Sequence, residues 1–477
     1  MARIPLTTGA GSTRSKIAGT GRQVNLYAEI NPAGSPAPVT YYGTPGLKLW
    51  STIPGDGPVR LQYVASNGVQ FAVRGAKLYR YDAGSWAELT TLASTSGRVI
   101  AADNGTSAVF VDGTMTAPVV SLSTFTVTAM SGDGWYGANF VFFLNGRLIF
   151  NKPGTEQFYW TGLYTTTLDP LDFASAEGSP DDIVSMVVDH LELWLFGPTS
   201  LEIFYDSGDP DAPFVRMQGA FNEVGCIAPF SVNRLDNTIY WLGRDRNGGG
   251  MVFRAQNYQP QRVSDHALET AIASYETVED AFSWTYQQAG HTFFVLTFPT
   301  AQKTWCFDVA SNMWHEREYR LSSNQTTRHR ANSHAYFEGK NLVGDFENGN
   351  VYELDLDTYT DHGAEILRLK DFPHMVADGY RHFFRQFVLD CQVAVGNGGT
   401  PVPGEPDPEV WLSWSDDGGN TWASTMVQKL GKIGEFWRRV QWNRLGMGRD
   451  RIFRVSTTTN AKFAMQGAFI ESDRGTS

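Results

Sequence analysis

Apolar and polar residues alternate along most of this chain, in short runs that end in tight turns. The clearest run spans residues 303–316, where the alternation ends at Asp308, a small polar turn follows, and Trp314 starts the returning strand. Similar runs occupy residues 77–89 and 350–360. Because an Asp carboxylate at the end of a strand accepts backbone N–H groups of the following turn, each run predicts a β-hairpin.

Repetition of one hairpin type through a long chain predicts an all-β fold, and a β-propeller of six to eight blades is the leading choice. We place an N-terminal arm and closing strands at residues 1–50, the propeller at 51–372, and a C-terminal β-rich domain at 373–477. One good helix is expected from Asp265 to Tyr275, where apolar residues share one face. Unrelated hairpins in one large β protein remain the alternative.

A second motif lies in the C-terminal region. The residues that match the defined positions of an Asp-box are Ser415, Asp417, Gly419, Thr421 and Trp422. In this motif the Asp side chain accepts N–H groups of the turn, the Gly supplies a backbone angle that other residues avoid, and the Trp packs back onto the hairpin. The motif is typical of hairpins in propellers, so it predicts a structural turn and no catalytic role.

The C-terminal region is also locally basic. Its possible subunit-interface cluster consists of Arg438, Arg439, Arg444, Arg449, Arg451 and Arg454. We favour a surface that faces solvent or a neighbouring subunit, and contact with DNA is the alternative. The whole chain has a formal charge of −12, which argues against gripping nucleic acid with its general surface.

Length and cysteine usage narrow the class of protein further. The chain has 477 residues, enough for a large core or for two or three domains. Its three cysteines are far apart and lack metal-ligand spacing, so neither a metal site nor a disulfide framework is predicted. We find no secretion signal and no membrane-spanning segment, so we expect folding in a cytoplasm without membrane insertion.

No catalytic, cofactor-binding or metal-binding residues are predicted, and we expect the protein not to be an enzyme. The chain lacks nucleophile-elbow, P-loop and dinucleotide fingerprints. An acidic stretch contains Asp169, Asp172, Glu177, Asp181 and Asp182. A glycosidase requires two carboxylates at a fixed separation, which sequence does not show, so a solvated loop is the favoured interpretation.

A carbohydrate-active propeller, either a sialidase-like hydrolase or a lectin, is the alternative function. The Asp-box and the sequence Arg3-Ile4-Pro5 resemble sialidase motifs. Sialidases usually repeat the box, however, and here it occurs once. Arg3 also precedes every strand that could place it in a pocket, so we disfavour this function.

Several stretches, read in order, resemble the packaged-DNA stabilisation protein, or tail hub (nozzle), family of short-tailed bacteriophages. They are Lys77-Leu78-Tyr79, Ser96-Gly97-Arg98-Val99, Asp182-Ile183, Phe196-Gly197, Ser200-Leu201-Glu202-Ile203-Phe204-Tyr205, Gly225-Cys226-Ile227-Ala228-Pro229-Phe230, Gln261-Arg262-Val263-Ser264, Trp305-Cys306 and Arg438 to Gly446. Each stretch is short, and the specificity lies in their order and spacing. The N-terminal arm does not clearly match.

The resemblance implies a structural virion protein of the tail. Such proteins resemble propellers that form a homo-hexameric ring below the portal-adaptor ring protein, carry a tailspike or tail fibre, and are closed by a tail needle or plug. Double-stranded DNA leaves through the lumen without specific binding. The resemblance therefore implies a subunit, assembled in the host cytoplasm, that stabilises packaged DNA and forms part of the ejection channel.

Overall fold

Strands dominate the computed structural model, which describes residues 2–4, 11, 14–15, 19, 21–179, 181–210, 212–246, 248–323, 325–376, 379–396 and 407–475. Much of the predicted N-terminal arm, including Pro5 of the Arg-Ile-Pro sequence, lies outside the described residues. The described residues form a β-propeller and a β-sandwich, so the predicted all-β class is confirmed.

Five strands precede blade 1 in sequence. They are β1 (Ala2–Ile4), β2 (Gln23–Val24), β3 (Leu26–Ile30), β4 (Val39–Gly43) and β5 (Gly46–Thr52).

Six propeller blades consist of strands that are consecutive in sequence and pair antiparallel. Blade 1 contains β6 (Val59–Val64), β7 (Gln70–Arg74), β8 (Lys77–Asp82) and β9 (Ser85–Thr91). Blade 2 contains β10 (Ile100–Asp103), β11 (Ser107–Val111), β12 (Pro118–Ser121) and β13 (Val127–Ala129). Blade 3 contains β14 (Val141–Leu144), β15 (Arg147–Asn151), β16 (Gln157–Thr161) and β17 (Leu168–Ser175).

The next three blades follow the same plan. Blade 4 contains β18 (Ser185–Asp189), β19 (Glu192–Phe196), β20 (Leu201–Asp206) and β21 (Phe214–Arg216). Blade 5 contains β22 (Gly225–Cys226), β23 (Asn233–Leu235), β24 (Thr238–Arg244), β25 (Met251–Gln256) and β26 (Gln259–Arg262), and the helix α1 (His266–Ala273) follows it. Blade 6 contains β27 (Phe282–Gln288), β28 (His291–Phe298), β29 (Lys303–Asp308) and β30 (Met313–Glu316).

A closing sheet completes the circle. After the hairpin of β31 (Glu318–Arg320) and β32 (Thr326–Arg328) come its strands β33 (Ala331–Phe337), β34 (Lys340–Asp345) and β35 (Asn350–Asp355). Strand β5 then pairs antiparallel with β35. Because β5 comes from before blade 1 and the other strands come from after blade 6, this sheet ties the two ends of the propeller together.

Apolar side chains fill each interface between neighbouring sheets of the circle. Between blades 1 and 2, for example, the ring centroids of Phe71 and Phe110 lie 5.6 Å apart. Between the closing sheet and blade 1, Ile53, Val59 and Leu342 pack together. This unbroken series of interfaces confirms the predicted propeller, with a blade number inside the predicted range.

The helix lies at its predicted position. The side chain of Asp265 caps its N terminus by accepting from the backbone N–H of Leu268 at 2.8 Å. Leu268 and Ile272 pack against blades 5 and 6, and Ala267 is buried as well, as the shared apolar face predicts. Ser274 ends the helix, and its hydroxyl donates to the carbonyl oxygen of Ala271.

The C-terminal strands form two sheets that face each other. After the short strands β36 (Thr360–Asp361) and β37 (Ala364–Glu365) they are β38 (Arg368–Asp371), β39 (Met375–Val376), β40 (His382–Cys391), β41 (Glu409–Ser415), β42 (Met426–Lys429), β43 (Val440–Asn443), β44 (Met447–Gly448), β45 (Asp450–Thr457) and β46 (Ala464–Arg474). One sheet has the order β3-β4-β46-β40-β43, and the other contains β38-β45-β41-β42. Phe387, Trp442 and Phe453 pack in the core between them.

Strand β2 makes one sheet continuous across both domains. Val24 pairs in parallel with Glu316 of β30 and antiparallel with Leu369 of β38. The sheet of blade 6 therefore continues through β2 into the sandwich. The first 50 residues are divided between the domains, because β3 and β4 belong to the sandwich and β5 belongs to the propeller. Strand β38 already lies in the sandwich, ahead of the boundary placed at residue 373.

Candidate functional site

The propeller and the sandwich meet along a seam at β2, where Asn25 bonds the backbone of both. Asn25 has φ of 50°, a left-handed conformation in which Asn is enriched. Its Nδ2 donates to the carbonyl oxygens of Glu318 and Leu367, each at 2.9 Å. Its Oδ1 accepts from the backbone N–H of Glu318 at 3.1 Å. One buried side chain thus fixes the distance between the end of blade 6 and the start of the sandwich.

An ion-pair network crosses the same seam. Arg22 contacts Glu316 with two nitrogens, Nε to Oε1 at 2.9 Å and Nη2 to Oε2 at 2.7 Å, and its Nη2 also reaches Glu318 at 2.7 Å. Lys303 of β29 contacts Glu318 at 2.8 Å. Burial would raise the pKa of Glu318, but the positive charges of Arg22 and Lys303 lower it below its usual value. Glu318 therefore stays ionised although it is buried.

The network continues into the sandwich through Asp371. The backbone N–H of Arg22 donates to Asp371 Oδ2 at 3.0 Å. Arg454 donates to the same carboxylate from Nε at 2.6 Å and from Nη2 at 2.8 Å. The Arg454 guanidinium lies 3.5 Å from the ring centroid of Trp422, a cation–π contact. Since Trp422 ends the Asp-box, the motif is physically connected to the seam.

A buried lysine makes a further contact at β2. Lys370 Nζ donates to Gln23 Oε1 at 2.9 Å, and Gln23 Nε2 donates to the carbonyl oxygen of Leu26 at 2.9 Å. Lys370 has no exposed surface, and burial lowers its pKa to about 8, with Asp371 opposing the shift. Such a site favours one placement of β2, because a displaced Gln23 would leave the lysine without this acceptor.

The Asp-box forms the turn after β41, in the sandwich and not in the propeller. Asp417 Oδ1 accepts from the backbone N–H groups of Asn420 and Thr421, each at 2.9 Å. The Thr421 hydroxyl donates to Oδ2 at 2.6 Å. Ser415 Oγ donates to Asp417 at 2.7 Å and accepts from Gly419, whose φ is 87°. The bonds from Thr421, then that from Ser415, hold the pKa of Asp417 well below its usual value.

The six arginines of the predicted basic cluster do not share one surface. Arg451 is buried and contacts Asp416 through two nitrogens, each at 2.6 Å. Arg454 belongs to the seam, as described above. Arg438 is half-buried and donates from Nε to the carbonyl oxygen of Lys429 at 3.0 Å. The exposed members are Arg439, Arg444 and Arg449. Two of the six are therefore internal, because β45 turns them toward acidic partners.

The inner strands of the propeller surround a cavity of about 300 Å³ on its axis. Each sheet of the circle contributes to its wall, for example through Leu61, Ile100, Phe142, Met186, Arg234, Phe282 and Asn332. Arg98 enters this cavity, with its guanidinium 3.3 Å from the Phe282 ring centroid and a hydrogen bond to the Asn332 carbonyl oxygen. This volume is at the lower limit for a small-molecule pocket, so a DNA duplex does not fit through the propeller.

A second cavity, of about 880 Å³, opens beside blades 4 to 6 and the closing sheet. Its wall contains the carboxylates of Asp189 and Asp236. Asp189 is already paired with Arg234 at 2.9 Å and with His190 at 2.8 Å. Because one of its two carboxylates is occupied, the cavity does not offer the free pair that a glycosidase needs.

The Asp-box and Arg3, which resemble sialidase motifs, lie in the sandwich and not in the propeller. Arg3 stands on β1 at the sandwich, 3.4 Å from Asp390 and 3.2 Å from the carbonyl oxygen of Gln466. It does not reach either propeller cavity. In the acidic stretch, Asp169 and Asp172 lie on strand β17, not in a loop.

The described part of the chain shows neither a metal site nor a membrane-spanning helix. No group of three or more His, Cys, Asp or Glu side chains is arranged to hold a metal ion there. Of the helices described, none is long and apolar enough to cross a bilayer. Cys226 and Cys306 are buried free thiols, and Cys391 is half-buried.

The seam residues were missed by sequence reasoning. Arg22 falls in the predicted arm, and Gln23, Asn25 and Lys370 belong to no motif. The available signal was weak: two polar residues, Gln23 and Asn25, flank Val24 just before the apolar start of β3.

Two family models match this chain and agree with this architecture. A family model described as bacteriophage P22 Gp10, beta-propeller, matches residues 2–359, and one described as bacteriophage P22 Gp10, beta-sandwich, matches residues 368–473. No curated protein matches the chain. The WD40 beta propeller domain of Doa1 is similar with 12% identity and a TM-score of 0.39, over 65% of this chain and 96% of that one. The two family matches cover most of the chain, which therefore belongs to the bacteriophage P22 Gp10 family of structural DNA-stabilisation proteins of the short phage tail.

Proposed function

We propose that this chain is one subunit of a homo-hexameric tail hub. The hub joins the portal-adaptor ring protein to a tailspike or tail fibre and to a tail needle or plug. It is located in the tail of the virion, is assembled in the host cytoplasm and does not insert into membranes. Family membership supports the structural role, and the hexamer and the partners are the proposal.

The observation that carries the proposal is the small axial cavity. Because about 300 Å³ on the propeller axis cannot hold a duplex, DNA passes between subunits and not through one. A ring of subunits around a lumen meets that requirement. The seam at Arg22 and Asn25 makes each subunit a stiff two-domain block, which suits a connector that bears the load of packaged DNA.

In this proposal the lumen guides double-stranded DNA without holding it. A protein that makes roughly 6–10 phosphate contacts binds DNA tightly at low salt, so a lumen rich in Arg and Lys would slow ejection. The charge of −12 per chain favours a neutral or acidic lumen, with retention by the plug. The exposed arginines, together with Arg438, then face protein. The Asp-box residues Ser415, Asp417, Gly419, Thr421 and Trp422 brace the sandwich and catalyse nothing.

Electron microscopy of purified particles tests the ring. We expect six copies of this chain around the tail axis, below the portal and its adaptor. A hub of another symmetry, such as threefold, would contradict the hexamer.

Two measurements test the DNA path. The isolated protein should not bind duplex DNA at physiological salt. Particles with Arg438→Glu and Arg439→Glu should assemble poorly, because these residues contact protein. If such particles assemble normally and eject DNA at an altered rate, the arginines line the lumen and the proposed path is wrong.

A further inference from the structure

Two surfaces on different domains expose large apolar side chains. The sandwich tip is residues 432–439, between β42 and β43, and there Trp437 is 98% exposed and Phe436 is 72% exposed. The blade 3 edge is strand β17, where Leu171 is 82% exposed. Scattered apolar residues are ordinary on surfaces, but neighbouring ones of this size mark contact sites.

The two surfaces carry opposite charge. The sandwich tip has a net positive charge, because Lys432, Arg438 and Arg439 outnumber its one acid, which lies 3.5 Å from Arg438. Lys432 lies 3.7 Å from an aspartate outside the tip, so the tip stays basic although two of its charges have neighbours within the chain. The blade 3 edge contains Asp169 and Asp172 and no basic residue. Opposite charges around apolar centres set the partner and the register of a contact.

Strand β17 is open on its outer side. In the sheet of blade 3 it pairs with β16 alone. Its pairing is also irregular: Leu168 pairs with Thr161 and Phe173 pairs with Tyr159, so residues 169–172 stand opposite Trp160 alone. A bulge of this kind lifts side chains out of the sheet, which explains the exposure of Leu171 beside the two aspartates.

The two surfaces belong to different sheets of the subunit. The sandwich is joined to blade 6 through β2, and blade 3 precedes blade 6 by three positions in the circle. Within the shared sheet, β42 is the strand farthest from blade 6, and the tip follows it. One copy can therefore offer its tip to a neighbour while its own blade 3 edge remains available to the next copy.

We propose that the sandwich tip of one subunit packs against the blade 3 edge of a second copy of this chain. Trp437 and Phe436 pack on Leu171, and the basic residues of the tip pair with Asp169 and Asp172. Because the contacting surfaces differ, the contact is heterologous and repeats around a ring. The inference rests on the proposed hub function and adds the surfaces that build it.

Cysteine cross-linking tests the contact in assembled tails. The double variant Trp437→Cys/Leu171→Cys should form disulfides between neighbours, so that electrophoresis without reductant shows a ladder of covalent multimers. Neither single variant should pass beyond a dimer. The matched control, Trp437→Cys/Tyr336→Cys, places a cysteine at another exposed aromatic position, 63% exposed on the closing sheet, and should give no ladder. The unchanged chain controls for its own three cysteines.

The outcomes separate this inference from the proposed function. A ladder supports the contact. A ring seen by electron microscopy without a ladder overturns the contact and leaves the hub function standing. Cross-linking of position 437 to another virion protein overturns it as well, because the tip then faces that partner. Particles without a ring of this chain overturn both.

A charge exchange gives a second, independent measurement. Arg438→Glu with Arg439→Glu should lower the yield of assembled tails by about tenfold or more, since like charges then face each other. Adding Asp169→Arg and Asp172→Arg to the same chain should restore most of the yield. Circular dichroism of the free subunits checks that each variant folds. Failure of the exchange to restore assembly by folded subunits contradicts the pairing.

Discussion

Apolar side chains fill the interfaces between blades, whereas charged and amide side chains fill the seam between the propeller and the sandwich. At the first kind of interface Phe71 packs on Phe110. At the second, Arg22 bonds Glu316 and Asn25 bonds two backbone carbonyl groups. Burial of apolar surface is strongly favourable but has little directional preference. It can therefore hold similar blades side by side around a closed circle. Hydrogen bonds and ion pairs require one geometry.

The two kinds of interface therefore make different contributions to the folded protein. Burial of apolar surface supplies stability to the propeller. A buried ion pair adds little net stability but is costly to break, because the remaining charge has no partner. We therefore expect the seam to specify the orientation of the domains, and the following predictions are ordered from the largest effect to the smallest.

Acid should weaken the propeller most. Burial lowers the pKa of His329 to about 3 and of His334 to about 4, and lowers that of His315 well below its usual value. Each unfolded histidine takes up a proton below its ordinary pKa of 6.5, so stability falls as pH falls below 6.5. Burial raises the pKa of Asp361 to about 7, and this acts in the opposite direction. His329 and His334 together should cost about 4 kcal/mol between pH 6.5 and 4.5. His315 adds to this loss, and Asp361 offsets part of it.

Urea unfolding across this pH range measures the loss. His334→Gln should reduce the number of protons that the chain takes up on unfolding by about one, and so make the unfolding free energy depend less on pH. Thr270→Val, at an exposed position on the helix that carries no titratable group, should leave the dependence unchanged. If the unfolding free energy did not change between pH 6.5 and 4.5, the histidines would be protonated equally in the folded and unfolded states. That result would show that water reaches them in the folded protein.

Phe110→Ala should break one blade interface. Phe110 has no exposed surface and packs on Phe71 and Tyr63. Truncating a buried Phe leaves a cavity and costs about 3–5 kcal/mol, which denaturant unfolding would detect. Phe436→Ala, on the exposed sandwich tip, is the matched control and should not change stability. Equal behaviour of the two variants would mean that the blade core is not close-packed.

Arg22→Ala should break the seam. It leaves Lys303 as the cation that the buried Glu316 and Glu318 still share, at 3.6 and 2.8 Å. The cost should therefore lie below that of a fully broken buried pair, at about 2 kcal/mol. Small-angle scattering should also detect a wider range of domain orientations, which Phe110→Ala should not produce. Arg14→Ala, in the exposed part of the N-terminal segment, is the control. An unchanged scattering profile for Arg22→Ala would show that the backbone pairing of β2 alone sets the orientation.

Asp417→Ala should have the smallest effect. It removes the acceptor for the N–H groups of Asn420 and Thr421 in a solvent-exposed turn, where water can replace it. We expect a lower melting temperature, with a smaller drop than for Arg22→Ala. Asp133→Ala, at another exposed aspartate, serves as control, and a melting temperature equal to that control would contradict the turn role of Asp417.

Much of the architecture was determined by local sequence. The alternation around Asp308, the Asp-box and the apolar face of the helix are each short-range patterns, and each predicted its element because hairpins and caps depend on residues a few positions apart. The order of short stretches along the chain was sufficient to identify the family.

Tertiary structure alone decided how the pieces join. Residues 22–25 meet residues 316–318 and 367–371, which are some 300 positions away in the chain, and no local pattern encodes such a pairing. The same holds for the arginines: Arg451 and Arg454 read as part of a basic surface until Asp416 and Asp371 proved to be their partners. Charge in a sequence gives the number of ionic groups, but burial and the nearest opposite charge decide whether each one faces a partner protein or the interior.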